Sequence, residues 1–374
     1  MTQKITIDLR TLHNSEHTGV EYFALQAIEH LLEQDKSNQY LLYYNGFKKK
    51  TFDQFHFLSV KYRQTRIPNR LLNLLMKFTG FPKLETLTQN FGVMLMPNPI
   101  MARLRSDTKL VLVVHDLSPI LMPEVYSYKA QAWHKFINIP KLTKRADKIL
   151  AVSEYTKQSL VKELGIDESK ITTGLLGVDH ERYYFNLNED KLRSVSNTYN
   201  LPFKFILFVG TLEPRKNLTR LIEAFELLDS DAHLVIAGKL GWRYNEAMKL
   251  ISESSKSNKI HYLGYVSEAD KPYLLKLASV FAWPSLYEGF GLPVLEAMAV
   301  GTPVLTSNIT SLPEVAGDAA VMVNPYQITD IADGLKLLLN EDSLREVYIK
   351  KGLERAKQFT WTRTAEVLYK LLNS

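Results

Sequence analysis

The sequence predicts an α/β protein with two doubly wound, Rossmann-like domains that face each other across a cleft. Short β-rich runs alternate with helical stretches, which is typical of parallel sheets covered by helices. A polar, irregular stretch over residues 180–204 separates two such series. A chain of 374 residues is long enough for two domains, each with its own core. We therefore expect domains over residues 1–195 and 196–359.

The first series supports this reading because its apolar runs are short and its helical stretches lie between or after them. The predicted strands are Lys4–Asp8, Tyr40–Tyr44, Gly92–Met96, Leu110–Val114 and Ile149–Val152. The clearest predicted helices are Gly19–Leu32, Leu71–Phe78 and Tyr155–Leu164.

The second series repeats the alternation with a new set of apolar runs. The predicted strands are Phe205–Val209, His233–Ala237, Ile260–Leu263, Val280–Trp283, Pro303–Thr306 and Ala320–Val323. The predicted helices are Leu218–Leu228, Tyr244–Ser254, Lys271–Ala278, Pro293–Val300, Ile328–Leu339, Leu344–Gln358 and Trp361–Leu372. Ligands of such sheets bind beyond the carboxyl ends of the strands, so the cleft is the expected site.

Composition excludes several functional classes. The chain has no cysteine, which excludes a disulfide framework, a thiolate zinc site and a cysteine nucleophile. It starts directly into a strand without an apolar signal core, and no run of about 18 apolar residues occurs. We expect an intracellular chain that is cytoplasmic or sits on a membrane surface.

The positive charge is concentrated in the first half. Residues 1–196 carry 27 basic and 20 acidic side chains, whereas residues 197–374 carry 19 and 20. Within residues 36–83 there are ten basic side chains and one acidic residue, Asp53. Either this segment is a solvated face, or it attracts anionic lipid or a phosphorylated acceptor. Nucleic acid is not expected, because the second half is close to neutral.

Apolar residues interleave with these charges. In the predicted helix after Pro68, four side chains fall on one stripe at helical spacing, with Arg70 and Lys77 off that stripe. They are Leu71, Leu74, Leu75 and Phe78. The stripe indicates either a core-facing helix or a membrane-surface contact, and both readings stay open.

Two cations follow the apolar strand Phe205–Val209. Arg215 and Lys216 stand just before a predicted helix that Asn217 is expected to cap. A helix N-terminus attracts phosphate, so the two cations would complete a diphosphate clamp without a metal. A solvated turn is the alternative reading of these residues taken alone.

Two carboxylates flank a glycine-rich loop after Trp283. Glu288 lies in the loop, and Glu296 lies eight residues later, about one turn into the helix that Pro293 begins. One carboxylate could bind sugar hydroxyls and the other a ribose diol, because Gly289 and Gly291 let the backbone approach a ligand closely. Otherwise Glu288 pairs with a surface lysine and Glu296 is an ordinary helix residue.

The first half holds weaker candidates. His115 and Asp116 end a buried strand at its carboxyl end, where parallel sheets present chemistry. A structural histidine is the alternative. Thr18-Gly19 begins the helix after the first strand and could place a backbone N–H against phosphate, or Gly19 is a turn glycine. Ser153-Glu154 is a further strand-end candidate.

Together these motifs resemble the retaining nucleotide-sugar glycosyltransferases of family GT4, which have the GT-B fold. The most specific is Glu-x7-Glu, from Glu288 to Glu296, preceded by Trp-Pro-Ser and followed by Gly-Thr-Pro-Val. Residues 210–218 resemble the family's donor diphosphate loop. Many relatives have Arg after the strand-end glycine, whereas this chain has Thr211, so the clamp rests on Arg215 and Lys216. By analogy, the helix at 360–374 packs back on the first domain.

The resemblance implies residue roles. Arg215 and Lys216 would neutralise the leaving diphosphate, and Glu288 would hold the donor sugar. His115, with Asp116 beside it, would sit at the anomeric centre. Glu296 would bind the ribose, the backbone of Phe290 and Gly291 would contact the sugar, and Leu292 would pack nearby. Tyr265 and Val266 would flank the nucleobase, and Gly19 would contact the phosphate or the acceptor.

The resemblance also implies a reaction. We expect a metal-independent enzyme without a prosthetic group, which moves a sugar from a nucleotide-sugar to a glycan or lipid-phosphate acceptor of bacterial surface-polysaccharide synthesis. GDP-mannose is the first donor considered, with UDP- and dTDP-sugars as alternatives. A location on the inner face of the cytoplasmic membrane would suit the basic segment. A sugar-nucleotide epimerase of the same fold, with Asp116 as acid or base, and a non-catalytic membrane-surface protein are the other functions considered.

Overall fold

The computed structural model describes residues 2–12, 19–48, 55, 60–89 and 92–374. Thr18, Lys49, Lys50 and Asp53 lie outside these ranges. The chain forms two compact units. The first comprises Met1–Pro119, Tyr128–Gly177 and Trp361–Ser374, and the second comprises Ile120–Ser127 and Val178–Thr360.

A seven-stranded parallel sheet forms the centre of the first unit, in the order β3-β2-β1-β4-β5-β6-β7. The strands are β1 (Lys4–Asp8), β2 (Gln39–Asn45), β3 (Val60–Thr65), β4 (Val93–Met96), β5 (Lys109–Val114), β6 (Lys148–Ala151) and β7 (Ile171–Thr173). Its central strands are almost wholly buried, as expected for a parallel sheet covered on both faces.

Helices follow the strands. They are α1 (Gly19–Gln34), α2 (Asn69–Phe78), α3 (Leu84–Thr88), α4 (Ser118–Leu121), α5 (Tyr128–Ile137), α6 (Ile139–Arg145) and α7 (Glu154–Leu164), with α16 (Trp361–Asn373) at the end of the chain. Trp361 of α16 packs edge-on against Tyr22 and Phe23 of α1, with ring centroids 5.9 and 6.0 Å apart. The last helix is therefore part of the first unit.

A six-stranded parallel sheet forms the centre of the second unit, in the order β10-β9-β8-β11-β12-β13. The strands are β8 (Phe205–Val209), β9 (His233–Ala237), β10 (Ile260–Gly264), β11 (Val280–Trp283), β12 (Val304–Ser307) and β13 (Val321–Val323). The strand order reverses between β8 and β11, which pair directly, Ile206 beside Val280 and Leu207 beside Phe281.

The helices of the second unit are α8 (Glu189–Thr198), α9 (Leu218–Glu226), α10 (Asn245–Glu253), α11 (Lys271–Leu277), α12 (Leu292–Ala299), α13 (Leu312–Ala316), α14 (Ile328–Asn340) and α15 (Asp342–Ala356). Every strand and helix named above as a prediction is present, with ends shifted by at most two residues. The prediction of two parallel-sheet α/β domains is confirmed.

The structure contains elements that were not predicted, namely helices α3, α4, α5, α6, α8 and α13 and strands β3 and β7. Strands β3 and β7 were not predicted, because both lie at sheet edges, β3 exposes much of its polar sequence and β7 has only three residues. The stretch 180–204 is not irregular throughout, since α8 forms within it. Asn188 accepts a hydrogen bond from the Lys191 amide at its start. Helix α8 packs on α11, where Lys191 Nζ lies 2.9 Å from the Asp270 carboxylate. The second unit includes Ile120–Ser127 and resumes at Val178, so both of its segments begin before the expected boundary.

Helix α2 presents its apolar stripe outward. Leu72 and Met76 face the core and are fully buried, whereas Leu71, Leu74, Leu75 and Phe78 are exposed. The core-facing reading of that stripe is therefore wrong. The sequence could not separate the two faces, because both carry large apolar side chains.

Candidate functional site

The strongest candidate site lies in the second unit, where the strand order reverses. Such a reversal leaves a crevice at the carboxyl ends of the two central strands, here β8 and β11. Gly210 follows β8 and packs against the ring of Trp283, the last residue of β11. A Cβ at Gly210 would lie 2.6 Å from that ring, so only glycine allows the two strand ends to approach this closely.

The loops after the two strands are hydrogen-bonded to each other. The carbonyl of Arg215 accepts from the Leu286 amide at 2.8 Å and from the Ser285 hydroxyl at 3.0 Å. The side-chain amide of Asn217 donates to the carbonyls of Pro284 and Pro325 at 2.9 and 2.7 Å. Asn217 adopts a left-handed conformation and its side chain does not cap α9. The predicted capping role is thus wrong, and its amide joins the loops instead.

This bracing creates a buried cluster of four charges. One oxygen of Glu288 lies 2.6 Å from Lys216 Nζ, and the other lies 3.1 Å from the Arg215 guanidinium. Trp283 Nε1 also donates to Glu288, at 3.0 Å. Arg215 makes a second pair with Glu213 at 2.7 Å and donates to the Tyr287 carbonyl. Glu288 is not paired with a surface lysine, because both of its cationic partners are themselves largely buried.

Burial and charge compete within the cluster. Burial lowers the pKa of Lys216, and the neighbouring Arg215 lowers it further, although Glu288 and Glu213 oppose this. Burial alone would raise the pKa of Glu288, but Lys216 and Arg215 hold it below its ordinary value. Glu288 is therefore ionised at neutral pH. Lys216 loses its proton at a lower pH than an exposed lysine does.

The N-terminus of α12 begins beside this cluster. Gly291 precedes it at φ 113°, and a Cβ there would lie 2.7 Å from the Leu312 side chain. The hydroxyl of Ser311 donates to the carbonyls of Glu288 and Phe290, which holds the loop in place. Pro293 occupies the first turn. This brings the positive end of a helix dipole close to the two cations, an arrangement suited to an anion.

The second carboxylate of the motif also has a cationic partner. Glu296 is buried in the second turn of α12, and an oxygen of its carboxylate lies 2.7 Å from Lys271 Nζ at the start of α11. Burial would lower the pKa of Lys271, but Glu296 and Glu268 raise it above its ordinary value. Lys271 is therefore charged throughout the neutral range.

The other predicted contacts of the second unit differ in exposure. Tyr265 follows β10 and is exposed, with Lys239 Nζ 4.7 Å from its ring centroid. Val266 and Phe290 are buried, and the Phe290 ring packs on Phe359. Leu292 is partly exposed at the first position of α12. Only Tyr265 and Leu292 among these present appreciable side-chain surface to a ligand.

The first unit places His115 after β5, beside the loop that follows β4. Its Nε2 lies 2.8 Å from the Pro97 carbonyl, which can only accept, so this nitrogen carries the proton. Its ring packs edge-on against Phe23, 4.8 Å between centroids. Burial lowers the pKa of His115, although the Pro97 carbonyl and Asp116 oppose this. The imidazole is neutral at pH 7 and is fixed in one tautomer.

The other candidates of the first unit have structural contacts. One oxygen of Asp116 accepts from the amide and the hydroxyl of Ser118 at 2.9 and 2.7 Å, which closes the turn into α4. Ser153 caps α7 by accepting from the Thr156 amide at 3.0 Å. Gly19 is exposed at the first residue of α1, and a Cβ there would meet no atom within 4 Å.

Sequence reasoning missed four residues that build the site of the second unit. They are Glu213, Lys271, Trp283 as a hydrogen-bond donor and Asn217 in its bridging role. Glu213 stands two residues before Arg215, and its charge in the 210–218 loop was a signal that could have found it. The Lys271–Glu296 pair had no such signal, since it joins two helices. Among the residues described, no group of three or more His, Asp or Glu side chains has a geometry suited to holding a metal ion.

The geometry suits transfer of a group that leaves as a diphosphate. Two largely buried cations contact Glu288, the N-terminus of α12 begins four residues after it, and Glu296 lies in the second turn of that helix. Two Rossmann-like sheets with such a site define a glycosyltransferase of the GT-B fold. Residues 18–182 match the model described as Glycosyltransferase Family 4, and residues 191–355 match Glycosyl transferases group 1. The chain belongs to glycosyltransferase family 4.

Relatives agree with this assignment. The chain is 35% identical, over 70% of its own length and 70% of the relative's, to O-antigen chain mannosyltransferase B of Escherichia coli. Its fold is similar to sucrose-phosphate synthase of Thermosynechococcus elongatus, with a TM-score of 0.78, 18% identity and 99% and 98% of the two chains covered. An Anabaena protein solved with UDP and glucose gives a TM-score of 0.76 at 17% identity, with both chains covered completely.

Proposed function

We propose that this glycosyltransferase transfers mannose from GDP-mannose, with retention of the anomeric configuration, to a glycan or lipid-linked acceptor of bacterial surface-polysaccharide synthesis. The observation that carries the proposal is the buried cluster of Arg215, Lys216 and Glu288 beside the N-terminus of α12. The similarity to an O-antigen chain mannosyltransferase supports the choice of sugar and pathway.

The cluster fits the charges that develop during the reaction. Breaking a glycosyl–phosphate bond builds positive charge on the sugar and negative charge on the departing diphosphate. Arg215 and Lys216 would stabilise the diphosphate, and because Glu213 and Tyr287 hold the guanidinium, Arg215 is positioned before the donor binds. Glu288 would keep its contacts with the two cations and accept a hydrogen bond from a sugar hydroxyl with its remaining lone pair.

The pairing of Glu288 also supports retention by attack from the face of the leaving group. A double-displacement reaction needs a carboxylate nucleophile, but Glu288 is tied at 2.6 and 3.1 Å to two cations and accepts a further hydrogen bond from Trp283. Such a carboxylate is a poor nucleophile. We therefore propose that the leaving phosphate guides the acceptor to the same face of the sugar, next to the neutral His115.

The clamp supplies positive charge from side chains, so we propose a metal-independent reaction without a prosthetic group. UDP- and dTDP-sugars are the alternative donors. Tyr265 and Val266 would flank the base, and Glu296 would bind the ribose with its charge balanced by Lys271. Gly19 would approach the phosphate or the acceptor.

The proposed acceptor explains the basic first half better than nucleic acid does, since the excess charge lies in one segment. A lipid-phosphate acceptor resides in a membrane. We propose that the chain works at the inner face of the cytoplasmic membrane, with an anionic membrane surface as partner of residues 36–83.

Calorimetric titration with GDP, UDP and dTDP tests the nucleotide. We expect GDP to bind most tightly, and Arg215→Ala and Lys216→Ala each to weaken it by about 10- to 100-fold, the value of a charged hydrogen bond. Lys249→Ala is the matched control, because Lys249 is an exposed lysine of α10 whose loss should leave binding unchanged. Failure of all three nucleotides to bind would refute the proposal.

Product analysis tests the transfer. The enzyme is incubated with each nucleotide-sugar and a panel of lipid-phosphate acceptors in the presence of EDTA. Mass spectrometry identifies the product, and NMR of the new linkage gives its anomeric configuration. An inverted linkage would refute retention, loss of product in EDTA would refute metal independence, and a new sugar-nucleotide epimer without acceptor would favour the epimerase.

A further inference from the structure

Helix α2 presents a large apolar face to solvent. Leu71, Leu74, Leu75 and Phe78 are each exposed, with Leu74 at 48% and Phe78 at 78%, and Phe81 beyond the helix end is 57% exposed. We call these five side chains the α2 face. Single exposed apolar residues are ordinary in proteins, but four along two turns of one helix face and a fifth just beyond its end mark an interaction surface.

The α2 face is held in place by the rest of the first unit. Leu72 and Met76 anchor the opposite side of the helix in the core. Arg103 donates to the carbonyls of Met76 and Lys77 at 2.6 and 3.1 Å, which satisfies two carbonyls at the helix C-terminus. The apolar side chains therefore project from a fixed scaffold.

Helix α5 contacts α2 and carries an exposed aromatic residue. Lys77 Nζ donates to the Phe136 carbonyl at 2.7 Å, which joins α2 to α5. The Phe136 ring stacks on Trp133, 5.6 Å between centroids, and Trp133 is 45% exposed. Tryptophan is favoured at the boundary between lipid headgroups and acyl chains, because its ring is apolar and its N–H is polar.

The sequence segments that contain α2, α5 and α6 carry only basic charges. Residues 54–84 contain no acidic residue, and neither do residues 128–145, which span α5 and α6. Arg66 and Arg70 are exposed, and Arg70 lies one turn before Leu74 on the same helix. An anionic lipid surface complements this combination of apolar and basic side chains. A second copy of the chain would instead bring the same basic side chains against one another in a two-fold contact.

We propose that the α2 face, flanked by Trp133, docks on an anionic lipid surface and inserts its apolar side chains into the headgroup region. The inference deepens the peripheral location proposed above, on which it rests, and it does not depend on sugar transfer. Docking by the α2 face differs from electrostatic attraction of residues 36–83 to the membrane, because it requires apolar side chains to insert into the lipid. It also includes Trp133, which lies outside that segment. Within the residues that the structure describes, no helix is long and apolar enough to cross a membrane.

Vesicle flotation with the full chain tests the proposal. We compare phosphatidylcholine vesicles with vesicles that also contain phosphatidylglycerol, and expect binding to the second kind. The double variant Leu74→Ser/Phe78→Ser keeps every charge and should lower the partition coefficient by at least about tenfold, because two large apolar side chains no longer insert. The matched control is Phe203→Ser/Leu227→Ser, which removes a phenylalanine and a leucine of the second unit that are more exposed than Phe78 and Leu74, and it should leave binding unchanged.

The emission of Trp133 gives a second readout. Of the four tryptophans, Trp283 and Trp361 are buried and Trp242 of the second unit is half-buried and stacked on Tyr126, whereas Trp133 is exposed. Lipids with brominated acyl chains should quench the wild-type emission on binding, and Trp133→Phe should lose most of this quenching while it still binds. GDP titration of each variant is run in parallel, so that failure of docking is distinguished from failure of the nucleotide site.

Three results would overturn the proposal. The first is unchanged flotation of Leu74→Ser/Phe78→Ser, which would leave charge alone as the cause of binding. The second is quenching that persists in Trp133→Phe. The third is a wild-type dimer in lipid-free buffer that this double variant converts to a monomer, because the α2 face would then contact a second copy.

Discussion

Replacing Glu288 with glutamine should lower the stability of the free enzyme but strengthen its binding of GDP. The substitution keeps the shape of the side chain but removes the charge that Lys216 and Arg215 share at 2.6 and 3.1 Å. Removing one partner of a buried ion pair costs about 3–5 kcal/mol. Arg215 retains Glu213, and the glutamine oxygen still accepts hydrogen bonds, so we expect a loss of about 3 kcal/mol in the free energy of unfolding.

The nucleotide should reverse this loss. A bound diphosphate supplies the negative charge that the variant lacks, and it no longer competes with Glu288 for the two cations. We expect Glu288→Gln to bind GDP about tenfold more tightly than the wild type, equivalent to about 1.4 kcal/mol. Transfer should nevertheless fall, because the carboxylate proposed to hold the donor sugar is gone.

Chemical denaturation with and without saturating GDP, followed by calorimetric titration, measures both effects. Glu253→Gln serves as the control, because Glu253 is an exposed glutamate of α10 whose contact with Lys249 is 3.8 Å long. This control should change neither quantity by more than about 0.5 kcal/mol. Weaker binding of GDP by Glu288→Gln, or a stability loss that GDP does not restore, would contradict the assigned electrostatics.

Three further predictions concern contacts within each of the two units. Lys271→Met leaves Glu296 as a buried, unpaired carboxylate, so donor affinity should fall by at least about tenfold by titration, whereas Lys271→Arg should retain most of it. GDP binding should weaken as pH rises through the pKa of Lys216, which burial lowers, and Lys216→Arg should move that weakening to higher pH. Trp361→Ala removes a buried ring that packs on α1, so the first unit should lose about 3–5 kcal/mol of stability in denaturation, whereas Tyr369→Ala on the same helix should cost much less.

Opposite outcomes identify which premise is wrong. Unchanged affinity in Lys271→Met would mean that Glu296 does not contact the donor. A pH profile that is identical for lysine and arginine at position 216 would place the titrating group elsewhere. Equal losses for Trp361→Ala and Tyr369→Ala would mean that burial of the indole is not what docks α16.

Local sequence predicted most of the fold. The central strands of both sheets are continuous apolar runs, such as Phe205–Val209, because a parallel sheet is covered on both faces. Edge strands lack that signal. Strand β3 is largely polar and exposed, and β7 has three residues, so neither was predicted. Helix α8 was missed because its stabilising contact with α11 joins residues distant in the sequence.

The candidate site was also only partly predictable from the sequence. Arg215, Lys216, Glu288 and Glu296 are recognisable from motifs, since a strand end, glycines and a helix start stand at fixed spacing around them. Which of these cations pairs with which carboxylate cannot be recognised from the sequence. Arg215 and Glu288 are 73 residues apart, and they meet only because β8 and β11 are neighbours in the sheet. Asn217 was assigned as a cap because asparagine favours that position, but the nearby Pro284 and Pro325 carbonyls bind its amide instead.

The sequence by itself determined the class of fold, the family resemblance and the charged residues of the candidate site, because these depend on local periodicity and on short motifs. Only the tertiary structure decided which carboxylate binds which cation and which face of α2 is left uncovered. Both outcomes depend on what packs against each side chain from distant parts of the chain. Burial then lowers the pKa of Lys216, and the two cations lower the pKa of Glu288 against the effect of its burial. Lack of burial leaves Leu74 and Phe78 facing solvent.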